Sequence, residues 1–144
     1  MKKMNNKGFS LVELIVVVLI MAIIAVALAP QVMKWVENSR KSTDIENYNA
    51  LIEAATVCST NENVIAEIKT GSKTLTMTAN NTVGGAGNSA FKTAMDNTLP
   101  GWENTKITSG DWKGSTFYIV IENSSDAKGI TVTKGSVFPT KDFE

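Results

Sequence analysis

Three residues near the N-terminus have types and a spacing that suit a proteolytic processing step followed by ion pairing: Gly8, Phe9 and Glu13. Hydrolysis of the peptide bond between Gly8 and Phe9 would give Phe9 a free ammonium group. Because Phe9 and Glu13 are four residues apart, a helix would place them on one face. The ammonium would then neutralise the carboxylate within the chain or across a contact with another copy. The pattern therefore indicates a processing site joined to an assembly device.

Glu13 is unusual because it lies inside a long apolar run, Phe9 to Ala29. As a helix, these residues would extend about 31 Å, which matches the hydrocarbon core of a bilayer. An ionised carboxylate well inside a bilayer costs on the order of 3 kcal/mol, and less near the interface. An unpaired charge in hydrocarbon stays unfavourable until a partner supplies the opposite charge, so Glu13 would give self-assembly a register signal.

The basic residues before the apolar run predict its orientation. They are Lys2, Lys3 and Lys7. The positive-inside bias places the N-terminus in the cytoplasm and the remainder of the chain outside. A secretory signal peptide would explain Ala27-Leu28-Ala29 as a cleavage site, but Pro30 directly after the cut suits a protease poorly. A plain single-pass anchor explains the length of the run but neither the Gly8–Phe9 boundary nor Glu13.

Composition and charge exclude several functional classes. The chain has 144 residues, no histidine and one cysteine, and its formal net charge is zero. Without residues 1–8, which carry three lysines, 11 basic and 14 acidic side chains remain, whereas a dedicated nucleic-acid binder would be clearly basic. The lack of histidine removes the commonest general base and the commonest metal ligand. We therefore expect no enzyme active site, no cofactor and no specific nucleic-acid site.

Several other residues that could contact a ligand or a partner have ordinary interpretations. The glycine-containing stretch Asn80–Asn88 lacks the lysine of a phosphate-binding loop. Asp111 and Asp126 fall in predicted loops and could touch a cation, but solvated turn residues are the preferred interpretation. Cys58 cannot form an intrachain disulfide and is expected to be a small core residue near a helix end. Trp35 suits a membrane interface, and packing against a neighbouring subunit explains it equally well.

The hydrophobic periodicity predicts one long helix from about Phe9 to about Cys58. Its first half is apolar all round, whereas residues 30–58 are amphipathic. The apolar positions of that second half are Ile45, Tyr48, Leu51, Ile52, Ala55 and Cys58. The charged residues predicted to occupy much of the remaining surface are Lys34, Glu37, Arg40, Lys41, Asp44, Glu46 and Glu53. Pro30 lacks the N–H that would reach the Val26 carbonyl, so a bend is expected near it.

The remaining chain, residues 59–144, predicts a small globular head. Three segments have the alternating or β-branched pattern of strands: Lys73–Thr78, Thr116–Ile121 and Ile130–Thr133. A short helix from Ala90 to about Thr98 is expected, with Ser89 as its N-cap. Turns are predicted at Asn80–Asn88, Asn123–Gly129 and Lys134–Gly135, the last before a short apolar pair at Val137–Phe138. Trp102 and Trp112 are expected in the core or at a sheet edge.

These elements predict an α+β fold, in which the long N-terminal helix packs against a small antiparallel sheet of three or four strands. The apolar face of the sheet would be buried against the amphipathic half of the helix. The change from an apolar to an amphipathic helix indicates two environments: a membrane or a bundle of like helices first, and the chain's own sheet second.

The residues Gly8-Phe9-Ser10-Leu11-Val12-Glu13-Leu14, followed by an apolar helix and Pro30, resemble the class III leader and N-terminal segment of type IV prepilins. The resemblance covers residues 1–30 and is only architectural beyond them. It implies that a prepilin peptidase cuts between Gly8 and Phe9 and then methylates the new N-terminus at Phe9. It also implies that Glu13 pairs with the amino terminus of a neighbouring subunit in a fibre. Pro30 would mark where the helix bends or melts on assembly.

The resemblance implies a structural protein with a leader at 1–8, a membrane-spanning and fibre-core segment at 9–29, an amphipathic helix at 30–58 and a head at 59–144. The prepilin would be stored in the cytoplasmic membrane and polymerised with itself by pilus assembly machinery into an extracellular pilus. Adhesion, twitching motility, biofilm formation and DNA uptake are the activities implied.

Two alternatives remain open: a pseudopilin of a type II secretion or competence system, and an anchored extracytoplasmic binding domain that never polymerises. Pilins of Gram-negative bacteria commonly close their C-terminal region with a disulfide. Because this chain has one cysteine, the resemblance points to the major pilin of a Gram-positive bacterium.

Overall fold

The computed structural model describes residues 8–79, 83–85, 87, 89–123 and 130–134. Its helices are α1 (Leu11–Cys58), α2 (Glu62–Thr70) and α3 (Ala90–Thr98), followed by a short 3-10 helix (Trp102–Asn104). Its strands are β1 (Lys73–Met77), β2 (Phe117–Asn123) and β3 (Ile130–Lys134). The predicted α+β fold is confirmed, and a long N-terminal helix with a small antiparallel sheet is consistent with a pilin-like fold. The chain divides into two compact units, Met1–Val36 and Glu37–Glu144.

In the first unit, the described residues after Ser10 are all helical, and their apolar side chains are exposed. Helix α1 begins at Leu11, within two residues of the predicted start. Pro30 lies inside α1, and the residues on both sides of it are helical. Its predicted role as a point of bending or melting during assembly stays a prediction.

In the second unit, β2 is the central strand of a three-stranded antiparallel sheet ordered β1-β2-β3. The register pairs Leu75 with Ile119 and Met77 with Phe117. Because successive side chains alternate between the two faces, these residues share one face with Ile121, and all of them are buried. The three predicted strands are confirmed to within two residues at each end. The predicted pair Val137–Phe138 and residues 124–129 of the predicted turn lie outside the described residues.

The core of the second unit forms where the apolar face of the sheet is buried together with the second half of α1. Tyr48, Leu51, Ala55 and Cys58 of α1 are each at most 2% exposed. The Tyr48 hydroxyl donates to the Tyr118 carbonyl oxygen at 2.7 Å, and the Tyr48 ring meets Phe117 edge-on at a centroid distance of 5.6 Å. A buried tyrosine needs such a polar partner, so this bond fixes the position of α1 against β2.

The two shorter helices complete this core. Ser89 caps α3 as predicted, because its hydroxyl accepts from the Lys92 backbone N–H at 3.2 Å. The helix α2 is absent from the sequence-based prediction, which places no element between Cys58 and Lys73. Its signals are an Asn61 side chain that accepts from the Asn63 N–H, and the buried residues Val64 and Ile68 one turn apart. The predicted core positions of Trp102 and Trp112 are confirmed: they are 1% and 4% exposed.

A short segment at residues 83–85 covers one edge of the sheet. Thr76 and Gly84 exchange two backbone hydrogen bonds, at 3.0 and 3.1 Å. The following residue, Gly85, has φ +104°, and a Cβ built on it would overlap the Thr74 carbonyl oxygen. Glycine is therefore required at position 85 for two reasons, its backbone conformation and the close approach of β1.

We expect Gly85→Ala to lower the free energy of unfolding by about 2 kcal/mol or more, because the new methyl group forces the segment away from β1. Chemical denaturation of the full chain in detergent measures this loss. The matched control is Gly84→Ala, because a Cβ at Gly84 would meet only the Thr76 hydroxyl at an ordinary distance of 3.7 Å. Equal stability of the two variants would contradict the close approach at Gly85.

Candidate functional site

The sequence-predicted site lies at the beginning of α1. Gly8, Phe9 and Ser10 precede the helix, and Glu13 lies in its first turn. The Ser10 backbone N–H donates to Glu13 Oε2 at 2.9 Å, and the Val12 N–H donates to Ser10 Oγ at 3.3 Å. The two bonds form a capping box with one difference: the serine side chain accepts from the Val12 N–H instead of the Glu13 N–H, while the glutamate satisfies the serine N–H.

The capping box gives Glu13 a partner within its own chain before any processing takes place. A carboxylate near a helix N-terminus is also favoured by the helix dipole. The predicted ion pair with a cleaved Phe9 is different, because it requires an ammonium that the uncut chain lacks. Phe9 lies outside the helix, so the predicted same-face placement of Phe9 and Glu13 requires α1 to extend by two residues. The ion pair stays a prediction.

The bond between Gly8 and Phe9 lies in an exposed part of the chain. Phe9 is 89% exposed, and a Cβ built on Gly8 would have no neighbour within 4 Å. Both residues precede the first helical residue, so the bond does not have to be unwound from α1 before it enters a protease. The geometry is compatible with the predicted cleavage, which stays a prediction.

The helix that follows this site presents apolar side chains to its surroundings. A stretch of 18 residues in α1 is strongly apolar, and none of these residues is buried. It is long and apolar enough to cross a membrane. The exposed apolar side chains continue to Trp35, which is 69% exposed. Such a surface requires lipid or other apolar helices as its surroundings. Both interpretations of Trp35 stay predictions.

A second polar cluster lies on α1 in the second unit, and it corrects the sequence-based prediction. Lys41 and Asp44 were predicted to lie on the outer surface, but they are only 7% and 0% exposed. Asp44 Oδ1 accepts from the Thr108 N–H at 2.8 Å and from its hydroxyl at 2.7 Å. Asp44 Oδ2 accepts from the Ser109 N–H at 2.8 Å. The carboxylate is buried because the backbone of a distant segment supplies its donors.

Glu37 and Lys41 bind the same segment at Ser109 and Asp111. Glu37 Oε1 accepts from the Ser109 hydroxyl and from the Asp111 N–H. Lys41 Nζ lies 2.6 Å from Asp111 Oδ2, so Asp111, which is an exposed turn residue as the sequence-based interpretation had it, is also ion-paired. We call this cluster the polar clamp: Glu37, Lys41 and Asp44 of α1 with residues Thr108–Asp111.

The polar clamp predicts a pH dependence of stability. The hydrogen bond from the Ser109 hydroxyl is the largest cause that holds the pKa of Glu37 below its usual value, and the backbone N–H groups of Asp111 and Gly110 act in the same direction. Because its pKa is lower in the folded chain than in the unfolded chain, the ionised Glu37 carboxylate stabilises the fold. This contribution to the free energy of unfolding is complete above about pH 4.3, the usual pKa of glutamate in an unfolded chain. It is lost as the pH falls through the lower, folded-state pKa.

We expect Ser109→Ala to raise the pKa of Glu37 and to lower the free energy of unfolding at pH 7, with a smaller difference from wild type at pH 3. Denaturation curves at the two pH values measure this difference. A difference that is the same at both pH values would contradict a charge-dependent bond. Ser42→Ala is the control, because Ser42 is an exposed serine on α1 that is not one of the residues of the polar clamp.

Metal or cofactor binding gains no support from the described part of the chain. No group of three or more histidine, cysteine, aspartate or glutamate residues there could hold a metal ion. The candidate Asp126 lies outside the described residues. Cys58 is 2% exposed, as predicted for a core residue, and its Sγ lies 3.4 Å from the Thr98 hydroxyl oxygen.

Comparison with known families identifies the N-terminal stretch. Residues 3–29 match the family model described as the prokaryotic N-terminal methylation motif. The matched stretch contains Gly8, Phe9 and Glu13 and ends at Ala29, the last residue of the apolar run. No match to a curated protein or to a solved structure was found.

Proposed function

From the N-terminal methylation motif, which supports a type IV pilin-like prepilin, we propose that this chain is the structural subunit of a type IV pilus. The observation that carries the proposal is the position of the motif. The motif spans residues 3–29, across the proposed cleavage site after Gly8, and includes the first part of a helix whose apolar side chains are exposed. A soluble head with a catalytic role would need neither feature. The motif suggests a structural protein, and it supports a precursor of the pilin or pseudopilin type.

In this proposal, the chain has four parts with separate roles. Residues 1–8 are the leader that prepilin peptidase removes, and residues 9–29 anchor the prepilin in the cytoplasmic membrane. The same segment forms the core of the assembled fibre, where neighbouring copies replace lipid around the apolar side chains. Residues 30–58 join this segment to the head, residues 59–144, which the fibre displays. The N-terminus of the prepilin lies in the cytoplasm, as the leading lysines predict.

Assembly in this proposal is an exchange of partners by Glu13. In the uncut chain its carboxylate accepts from the Ser10 N–H, which is a bond within one turn. Cleavage at Gly8 creates an ammonium on Phe9, and the fibre brings the ammonium of one subunit to the carboxylate of another. In a medium of low dielectric constant, the ion pair between an ammonium and a carboxylate is stronger than the hydrogen bond from an uncharged amide to the same carboxylate. A subunit in the wrong register leaves both charges unpaired.

The experiment that tests the proposal is a mass measurement of the mature N-terminus. We expect the first residue to be Phe9 carrying one additional methyl group, because processing and methylation follow from the motif. Intact-mass and peptide mass spectrometry of the membrane and surface fractions measure it. A mature chain that begins at Met1 or at Pro30 would overturn the proposal.

The choice between a pilus and a pseudopilus needs a second observation, because both classes of precursor carry such a motif. We propose the pilus and expect electron microscopy of sheared surface material to show long fibres that contain this chain. Short assemblies confined to the cell envelope would favour a pseudopilin of a secretion or competence system. A processed chain that never leaves the membrane would favour an anchored binding domain. Adhesion, twitching motility, biofilm formation and DNA uptake are the activities proposed for the fibre.

A further inference from the structure

Most buried polar side chains of the described residues lie in the polar clamp. Among the described residues, the buried polar or charged ones are Lys41, Asp44 and Ser109, and all three belong to the clamp. The remaining core is apolar and is formed by residues such as Leu51, Phe91 and Ile121. The second unit therefore has two adjoining interiors of different chemistry, one held by ionised groups and one by apolar packing.

The segment that the clamp holds has no regular secondary structure of its own. Residues 108–111 lie between the 3-10 helix and β2 and belong to neither. Their backbone N–H groups are satisfied by carboxylates: Thr108 and Ser109 donate to Asp44, and Asp111 donates to Glu37. An unsatisfied buried N–H costs about 1–3 kcal/mol, so the closed segment depends on these acceptors.

The acceptors hold the segment best when they are ionised. A hydrogen bond to a carboxylate is roughly twice as strong as one to a neutral acceptor. Protonation also adds an O–H donor to Asp44, which is fully buried and already receives three donors. Protonation of Asp111 would remove the partner of Lys41, whose ammonium is itself buried. The charges that face one another here are Glu37, Arg40, Lys41 and Asp44 on α1 and Asp111 on the segment.

We propose that the polar clamp is an acid-releasable latch: protonation of its carboxylates frees residues 108–111 from α1 while the apolar core stays folded. The release is local because both flanks of the segment are anchored elsewhere. Ile107 and Trp112 are 3% and 4% exposed, and the Trp112 ring meets Phe117 edge-on at 5.7 Å. Opening the latch requires no loss of this packing. Local opening at a free energy below that of global unfolding is common in proteins.

The test uses neutral variants that imitate protonation at constant pH. In the full chain in detergent micelles at pH 7, Asp44→Asn and Glu37→Gln are compared with wild type by hydrogen–deuterium exchange and mass spectrometry. We expect exchange of the peptide that covers residues 105–115 to accelerate by about tenfold or more, which corresponds to about 1.4 kcal/mol. The peptide that covers residues 45–58 should keep its wild-type protection. Glu46→Gln, on an exposed neighbour on α1, should change neither peptide.

Two outcomes would overturn the latch. Equal acceleration of exchange in both peptides would show that the clamp opens only with global unfolding. Unchanged exchange in residues 105–115 would show that the carboxylates of the clamp do not stabilise the closed segment. A second measurement on the wild-type chain avoids any dependence on the folding of the variants. Exchange is followed from pH 7 to pH 3, with labelling times scaled for the intrinsic rate. Early acid acceleration of residues 105–115 alone supports the latch, and simultaneous acceleration of both peptides contradicts it.

Discussion

Glu13→Ala is expected to abolish fibres or to reduce them strongly while leaving cleavage at Gly8 largely intact. In the proposed fibre, the substitution removes the carboxylate and would leave the ammonium of processed Phe9 without its partner in an apolar core. An uncompensated charge in such surroundings costs on the order of 3 kcal/mol, which corresponds to a factor of more than a hundred in an association constant. Quantitative immunoblots of sheared surface material and of membranes measure the yield, and intact mass measures processing.

Glu13→Gln separates the two roles that the structure allows for this side chain. The amide oxygen of glutamine still accepts from the Ser10 N–H, whereas its charge is gone. If ion pairing directs assembly, Glu13→Gln should behave like Glu13→Ala. If only the helix cap matters, Glu13→Gln should assemble like wild type. Normal fibre yield in Glu13→Ala itself would refute a role in assembly altogether and would favour an anchored domain that does not polymerise.

Phe117→Ala is expected to cost the second unit about 3–5 kcal/mol of unfolding free energy. The ring is 1% exposed and lies between Tyr48 and Trp112, and it meets both edge-on at centroid distances of 5.6 and 5.7 Å. Truncation leaves a cavity where α1, the sheet and the segment before β2 converge. A domain of this size has on the order of 5–15 kcal/mol of stability, so the variant should be recovered in low yield.

The next residue on β2 supplies a matched control for this prediction. Tyr118 is also aromatic, but it points to the opposite face of the sheet and is 41% exposed. The hydrogen bond that it accepts from Tyr48 uses its backbone carbonyl, which Tyr118→Ala preserves. We expect Tyr118→Ala to cost about 1 kcal/mol or less. Denaturation of the full chain in detergent, followed by tryptophan fluorescence, compares the two. Similar losses would mean that the two faces of β2 are not different environments.

The elements that the sequence predicts well are those whose pattern is strong and local. The 3- and 4-residue spacing of Tyr48, Leu51, Ala55 and Cys58 predicts both the extent of α1 and its buried face. The alternation in Lys73–Thr78 predicts β1 in the same way. The helix α2 was not predicted from the sequence, because it has only nine residues and lies in a stretch rich in asparagine and threonine. Its short apolar pattern is outweighed there by residues that favour turns.

The polar clamp was not predicted for a different reason: its contacts join residues that are far apart in the sequence. Lys41 and Asp44 are charged residues on a helix, and such residues are exposed unless something pairs with them. Their partners lie more than 60 residues away, in a segment whose own sequence predicts only a loop. The spacing of Glu37, Lys41 and Asp44 marks one helical face but cannot show that a backbone will cover it. At the N-terminus, by contrast, Ser10 and Glu13 form the capping box from residues that are local, and their spacing contains the whole signal.

Because Cys58 is buried, the reactivity of its thiol can be used to measure unfolding of the chain. Cys58, the one cysteine of the sequence, is the last residue of α1, is 2% exposed, and its Sγ contacts the Thr98 hydroxyl of α3. A water-soluble alkylating reagent can reach it only when these two helices separate. The ratio of the labelling rate in the native chain to the rate in denaturant then measures how often the head opens and exposes Cys58. Because the one thiol gives one mass increment, the intact mass of the chain gives the labelled fraction directly.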